Sequence, residues 1–247
     1  MSLRFHEIAE GDHRILNPFT HDKLMVLGEI CRLAPEMRQL DLCCGKAEML
    51  CQWSHRWGIG GVGVDISAIF LTAAAARAEE MGVASRITLV EGDAAQYAAE
   101  PHAFDIVSCV GATWIGDGLV GTINLMRGAL KPGGLVLVGE PYWISPPSPE
   151  AVEGVGVGPD DYVTLLGTLD RIESTGFELV EMVLADGDSW DRYSAAKWMT
   201  VDTWLRANPD DPDAAALRDW IARDKRSYLE YQRPLFGWGV FVLREKA

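Results

Sequence analysis

Short apolar runs recur along the chain, each closed by a glycine, a proline or an acidic residue, and separated by stretches whose apolar positions repeat every three or four residues. The short runs read as strands and the longer stretches as amphipathic helices. RQLDLCC (38–44), GGVGVDIS (60–67), RITLVEGDA (86–94) and AFDIVSCVGA (103–112) are the first four strands. A fifth, LKPGGLVLVGEPYW (130–143), joins a Pro-Gly-Gly turn to a continuous apolar run, as expected of a strand buried on both faces. Between the first two strands, KAEMLCQWSHRWG sets Leu50, Trp53 and Trp57 at helical spacing and stops at Gly58. Ser67 caps an alanine-rich helix that ends at Gly82, and a further helix spans about 119–130.

Beyond the fifth strand, SPPSPE reads as a proline-rich surface loop, followed by a helix over about 160–174 and a strand FELVEMVLA. Two polar-faced helices, about 191–207 and 213–231, then lead to a last strand, FGWGVFVLR. At the other end, residues 1–19 show no clear period. Thr20 and Asp22 ahead of Leu24, Leu27, Ile30 and Cys31 predict a capped helix that ends before Pro35. This alternation predicts an α/β, doubly wound, Rossmann-like fold with seven strands, mostly parallel, the last antiparallel. At 247 residues the chain suits one domain: an N-terminal helical arm (1–36), a core (37–183), a late helical insertion (184–234) and the last strand (235–247).

In such sheets a ligand lies beyond the carboxyl ends of the strands, where the strand order switches. That points to 41–47, Asp65, Asp93, 109–114 and 140–143. Asp65 follows Gly45 by twenty residues, the distance at which a carboxylate can hold a ribose bound over the first turn. A phosphate-binding loop would follow Gly45-Lys46 with a hydroxyl, and Ala47 has none. A dinucleotide site wants three glycines where Cys43, Gly45 and Glu48 stand, and a glutamate there repels a pyrophosphate. A phosphate-free adenosyl cofactor with an amino-acid tail needs only one close approach, at Gly45. S-adenosylmethionine fits that description.

The formal charge of −14, without a basic run, speaks against nucleic acid as a partner. Five cysteines, an odd number gathered in the first half, do not read as a disulfide framework and suit a reducing cytoplasm. No apolar run has the length of a membrane span or signal peptide, so no membrane association is expected. Cys51 and His55 lie four apart, with Cys43 and Cys44 upstream, but the separated C-x-x-C pairs of structural zinc sites are missing. These cysteines read as small buried residues, and no metal is expected.

The ordered set LDLCCGKAEML, GVGVDIS, VEGDA, FDIVSC and LKPGGLVLVGEP resembles the motifs of class I S-adenosylmethionine-dependent methyltransferases over 38–142. HRILNPFT, CVGATWI, GEPYW, WDRY and FGWGVFVL extend the resemblance along nearly the whole chain, to the YjhP-type bacterial group. The resemblance implies that Asp41 orients the methionine amino group while the Cys43 and Gly45 backbone lines the tail. It further implies that Asp65 holds the ribose, Ile66 packs on the adenine, and Asp93 with the Ala94 amide reads the adenine edge. The Cys109 and Val110 backbone would close the site near the methionine. Cys43 and Ala47 depart from the family's glycine-rich loop, and a positive φ at Cys43 would cost about 1 kcal/mol. Lys46 reads as solvent-facing.

Trp114, Tyr142 and Trp143 follow strands four and five, an aromatic set for a flat or apolar small-molecule acceptor. Trp190, Tyr193, Trp198 and Trp204 in the late helices read as packing residues of a lid formed with the arm. Methyl transfer from a sulfonium needs a base only for acceptors of high pKa. His6, His13, His21, Glu140 and Tyr142 are the candidates, Glu140 and Tyr142 foremost, and no catalytic residue is assigned. The expected activity is methyl transfer to a small molecule. The rival readings are a non-catalytic S-adenosylmethionine-binding protein and an NAD-dependent oxidoreductase; an apolar cavity beside the methyl position favours the enzyme.

Overall fold

A computed structural model describes residues 2–246. Seven strands form one sheet: β1 (Arg38–Leu42), β2 (Gly60–Asp65), β3 (Ile87–Glu91), β4 (Phe104–Val110), β5 (Leu130–Trp143), β6 (Phe177–Leu184) and β7 (Phe236–Glu245). Their order is β3-β2-β1-β4-β5-β7-β6. The first five run parallel, and β7 inserts antiparallel to both β5 and β6. The order switches between β1 and β4, so the crevice expected of a doubly wound sheet opens over the ends of β1, β2 and β4.

One face is covered by α2 (His21–Ile30), α3 (Glu48–Trp57) and α4 (Ala68–Glu80), whose Leu24, Leu27, Leu50, Trp53, Ala74 and Ala78 pack on the sheet. The other face carries α5 (Leu119–Arg127) and α7 (Leu165–Ser174), through Leu119, Ile123, Met126 and Ile172. Local chemistry sets the helix ends: Thr20 and Ser67 accept from the backbone N–H of Lys23 and Phe70, and Gly58 at φ 77° ends α3. The helix expected from about 160 begins at Thr164 as its cap, and its Arg171 donates to the carbonyls of Asp160 and Asp161 in the preceding turn.

Among the described residues, two helices of about two turns have no counterpart in the reading of the sequence. α1 (Leu3–Ala9), capped by Ser2, lies where no period was visible. α6 (Pro149–Val155) follows the proline-rich loop, with Ser148 as cap and Pro149 in its first turn, a placement that suits proline's fixed φ and missing N–H. Because α2 packs on the sheet as a layer helix, the arm that reaches over the crevice is residues 2–17. The late helices α8 (Gly187–Ala207) and α9 (Ala214–Ser227) form a satellite core with it: Ala9 packs with Val201, Leu205, Leu217 and Ile221. No helix among the described residues is long and apolar enough to cross a membrane.

Candidate active site

The loop from Cys43 to Ala47 takes an unusual path. Cys43 (φ 59°), Gly45 (φ 56°) and Ala47 (φ 51°) are all left-handed, so two residues with a Cβ occupy a conformation that costs them roughly 1–2 kcal/mol each. At Gly45 a Cβ would stand 2.6 Å from Leu16 Cδ1, so a side chain there would push Leu16 aside as well as strain the backbone. The turn carries the chain from β1 into α3 and aims its amides at the end of β2: Gly45 N–H donates to Asp65 Oδ2 (2.8 Å), and Ser67 N–H to Asp65 Oδ1 (2.9 Å).

A cavity of about 860 Å³ lies over this loop. It is lined by Asp41, Cys43, Cys44, Gly45, Asp65 and Ile66, by Asp93, Ala94 and Ala95 after β3, and by Val110, Gly111, Ala112, Trp114 and Ile115 after β4. His6, Arg14, Ile15, Leu16 and Asn17 of the arm line it as well. Asp41, Cys43, Gly45, Asp65, Ile66, Asp93, Ala94, Val110 and Trp114 are thus gathered around one space. Ile66 and Trp114 are exposed at it, at 60% and 69%. Cys109 is fully buried beneath, beside the Cys43 thiol.

Three expected residues lie elsewhere. Tyr142 packs into the core against the α5–α7 face, and Trp143, 1% exposed, stacks edge-on against Phe236 beside α6. β5 outruns β4, whose pairing ends at Gly139, and its last four residues pair with β7; there Tyr142 and Trp143 are taken up by two apolar clusters and leave no aromatic for the cavity. Glu140 does not line the cavity either. Its carboxylate accepts from Thr113 Oγ1 (3.0 Å), and Thr122 Oγ1 donates to the Thr113 carbonyl, so Glu140 fastens the turn that presents Trp114. Burial pushes the Glu140 carboxyl up to about 7.

Each cavity carboxylate is already engaged. Asp41 Oδ1 accepts from Ser108 Oγ (2.6 Å), and burial, opposed by that bond, raises its pKa to about 7. Glu48, at the head of α3, is held by Arg77 through two bonds (2.9 and 3.0 Å). Asp93 accepts from the Ala95 amide.

Lys46 is 9% exposed, contrary to its expected place in solvent. Its ammonium donates to the carbonyls of Glu10 (2.8 Å), Gly11 and His13 (both 2.7 Å), binding the end of α1 to the cofactor loop. His13 is drawn into the same joint: Tyr193 Oη donates to Glu10 Oε1 (2.7 Å), and His13 Nε2 lies 3.0 Å from the Tyr193 carbonyl. His21 is exposed at the start of α2, outside the cavity. His6 lines the cavity, with an Nδ1 that is buried and has no hydrogen-bond partner among the described residues. The arm residues escaped sequence reasoning because nothing local gives them a period. The signal that was present is Lys46, a cation placed where the loop needs none for itself. Cys51 is buried and His55 exposed, its Nδ1 3.1 Å from the Met81 carbonyl; among the described residues no three His, Cys, Asp or Glu side chains gather as metal ligands.

A family model described as "Methyltransferase domain" matches residues 40–134, the segment that supplies every carboxylate of the cavity. YjhP of Escherichia coli (strain K12) is 46% identical over 242 residues, 97% of either chain. The crystal structure of a SAM-dependent methyltransferase from Geobacter sulfurreducens, in complex with S-adenosyl-L-homocysteine, is 45% identical with TM-score 0.95 over 99% of both chains. The chain belongs to the S-adenosylmethionine-dependent methyltransferases. A second such enzyme, from Thiobacillus denitrificans and also in complex with S-adenosyl-L-homocysteine, is 42% identical with TM-score 0.93, covering 100% of this chain and 99% of its own. The arm and late helices fall outside the matched domain but inside the stretch shared with these relatives, so the roof of the cavity belongs to the group.

Proposed function

We propose that this methyltransferase binds S-adenosylmethionine across Asp41, Gly45, Asp65 and Asp93 and transfers its methyl group to a small, largely apolar acceptor held under the arm. The observation that carries the reading is the head of α3: Glu48, tied to Arg77, stands where a dinucleotide's pyrophosphate would meet the helix N-terminus. That placement opposes NAD and costs a phosphate-free cofactor nothing. Asp65 is fixed by two backbone amides for a ribose, and Asp41, buried beside Ser108, suits a methionine ammonium. Asp93, with the Ala94 and Ala95 backbone, would meet the adenine edge, and exposed Ile66 its face.

The bound cofactor supplies an electrophilic methyl on a sulfonium. The protein's part is to orient, enclose and dry the reacting pair. Leu16, Ile15, Ala112, Ile115 and Trp114 give the acceptor side an apolar wall with one aromatic face, which favours an enzyme over a binding protein without an acceptor pocket. With the cavity carboxylates committed to donors, the reading assigns no general base and suits an acceptor that is nucleophilic at neutral pH. The five free cysteines fit a reducing cytoplasm. Titration calorimetry with S-adenosylhomocysteine and with NAD tests the central claim: the former binds in the micromolar range or tighter and the latter does not. Tighter binding of NAD, or none of S-adenosylhomocysteine, would sink it.

A further inference from the structure

β1 and β4 bury polar side chains where the middle of a sheet wants apolar ones. Gln39 and Asp41 lie two apart on β1, and the register of β4 sets Ser108 beside Asp41. Gln39 and Ser108 are fully buried, and Asp41 is 4% exposed. Such groups are costly in a core unless they satisfy one another, and these form a chain. Gln39 Nε2 donates to Ser108 Oγ (2.9 Å), which donates to Asp41 Oδ1 (2.6 Å). The Leu40 carbonyl, 3.3 Å from the same hydroxyl, is its second acceptor. This turn of the Gln39 amide leaves its own Oε1 buried without a partner among the described residues, but frees the Ser108 hydrogen for Asp41. Asp41 Oδ2 takes no bond from a described residue and is not sealed from the cavity that Asp41 lines.

A hydroxyl has one hydrogen and two lone pairs, so the chain has two proton arrangements. With Asp41 ionised, Ser108 gives its hydrogen to Oδ1. With Asp41 neutral, the carboxyl donates to Ser108 Oγ and the hydroxyl turns to the Leu40 carbonyl; Gln39 donates in both. We propose that Ser108, held by Gln39, is a positioning residue that lets Asp41 rest neutral before the cofactor binds and ionise when the methionine ammonium meets Oδ2, so that binding releases a proton to solvent. The proposal rests on the S-adenosylmethionine reading. Burial raises the Asp41 carboxyl to about 7, against the lowering pull of Ser108 and with the help of Asp65 at the end of β2. Two thiols also face it, Cys44 in the loop and Cys109 on β4. Burial raises the first well above its ordinary value, and a bond to Cys43 together with burial raises the second, so both stay neutral. Lys46, the near cation of the loop, is spent on the arm, and His6 and Arg14 line the cavity. Because a proton must leave Asp41, binding strengthens as pH rises through about 7 and levels off above it.

Titration calorimetry with S-adenosylhomocysteine, in buffers of different ionisation enthalpy, counts the protons released between about pH 5.5 and about pH 8. In the wild type the release approaches about one proton per ligand at the acid end and falls toward none at the other. The dissociation constant drops about tenfold for each pH unit below the Asp41 value. Asp41→Asn abolishes both the release and the slope. Ser108→Ala removes the donor that favours the ionised form, so the window moves to higher pH and binding at about pH 7 weakens by about three- to tenfold. Ser108→Thr keeps the hydroxyl and restores both. A Ser108→Ala protein weakened equally at every pH shows packing alone and overturns the positioning role. Release that persists in Asp41→Asn comes from another group, such as His6, and overturns the proposal, as does wild-type binding without release. Failure of the wild type to bind S-adenosylhomocysteine at any pH overturns the underlying reading instead.

Discussion

At the scale of single residues, the cavity depends on groups that do not ionise at their ordinary pH. Asp41 and Glu140 are both buried beneath the loops they support, and both carboxyls are raised to about 7. A carboxyl whose folded value lies above its unfolded one stabilises the fold fully only below the unfolded pKa, and that stability is lost as pH rises through the folded value. For Glu140 the window runs from about 4.5 to about 7. Glu140→Gln keeps an oxygen for Thr113 and removes the ionisation. At pH 8 the variant should exceed the wild type by up to roughly 3 kcal/mol in urea unfolding, and at pH 4.5 the two should agree. Parallel stability curves would show that Glu140 does not titrate in this window. Since the residue acts on the Thr113 turn from behind the cavity, methyl transfer should survive the substitution. Asp41 adds a similar slope to both proteins, so the difference between them isolates Glu140.

At the scale of elements, what was legible followed from period and caps. β1, β2, β4 and β5 could be read because burial on both faces leaves a continuous apolar run, and α2 to α4 because one buried face writes a repeat of three to four into the sequence. α1 could not. Its seven residues make barely two turns, so Phe5, Ile8 and Ala9 toward α8 and α9, and Leu3 and His6 toward the cavity, repeat too briefly to stand out as a period. The end of β5 failed for the opposite reason: a run apolar on both faces does not say which of its aromatics reach a cavity, and neither Tyr142 nor Trp143 does. In the cofactor loop, Gly45 and Asp65 were readable as a pair, whereas Lys46 was not, because its three acceptors are backbone carbonyls and carry no side-chain signature. That joint yields a prediction. Lys46→Met keeps the stem and removes the ammonium, leaving the end of α1 unsatisfied. We expect a loss of about 2–3 kcal/mol in unfolding free energy. We also expect faster amide exchange over residues 3–13, with β1 and β4 unchanged. Unaltered exchange in the arm would show that Lys46 does not hold it.

At the scale of the whole molecule, the late helices act on the site at one remove. Among the described residues none from α8 or α9 lines the cavity, yet α1, which does, is packed against both. Phe5 meets Trp220 of α9 with ring centroids 6.1 Å apart, and Arg4 pairs with Asp211 and Asp213 ahead of the same helix. On the proposed reading the lid is two-layered: the arm would touch the ligand, and the helices between β6 and β7 would decide how firmly the arm stays down. If so, cofactor affinity depends on residues far from the cofactor, because the apparent dissociation constant rises as the closed-arm population falls. Trp220→Ala removes the platform under Phe5 and alters nothing in the cavity wall. It should weaken S-adenosylhomocysteine binding by about threefold or more and speed amide exchange over residues 3–9 in the absence of ligand. Saturating ligand should recover most of that protection. Leu229→Ser, at a residue 60% exposed in the helical turn that follows α9, supplies the control and should change neither quantity. A Trp220→Ala protein that loses stability but binds as tightly as the wild type would separate the two layers. The late helices would then be packing for the sheet's antiparallel edge, and the arm alone the lid.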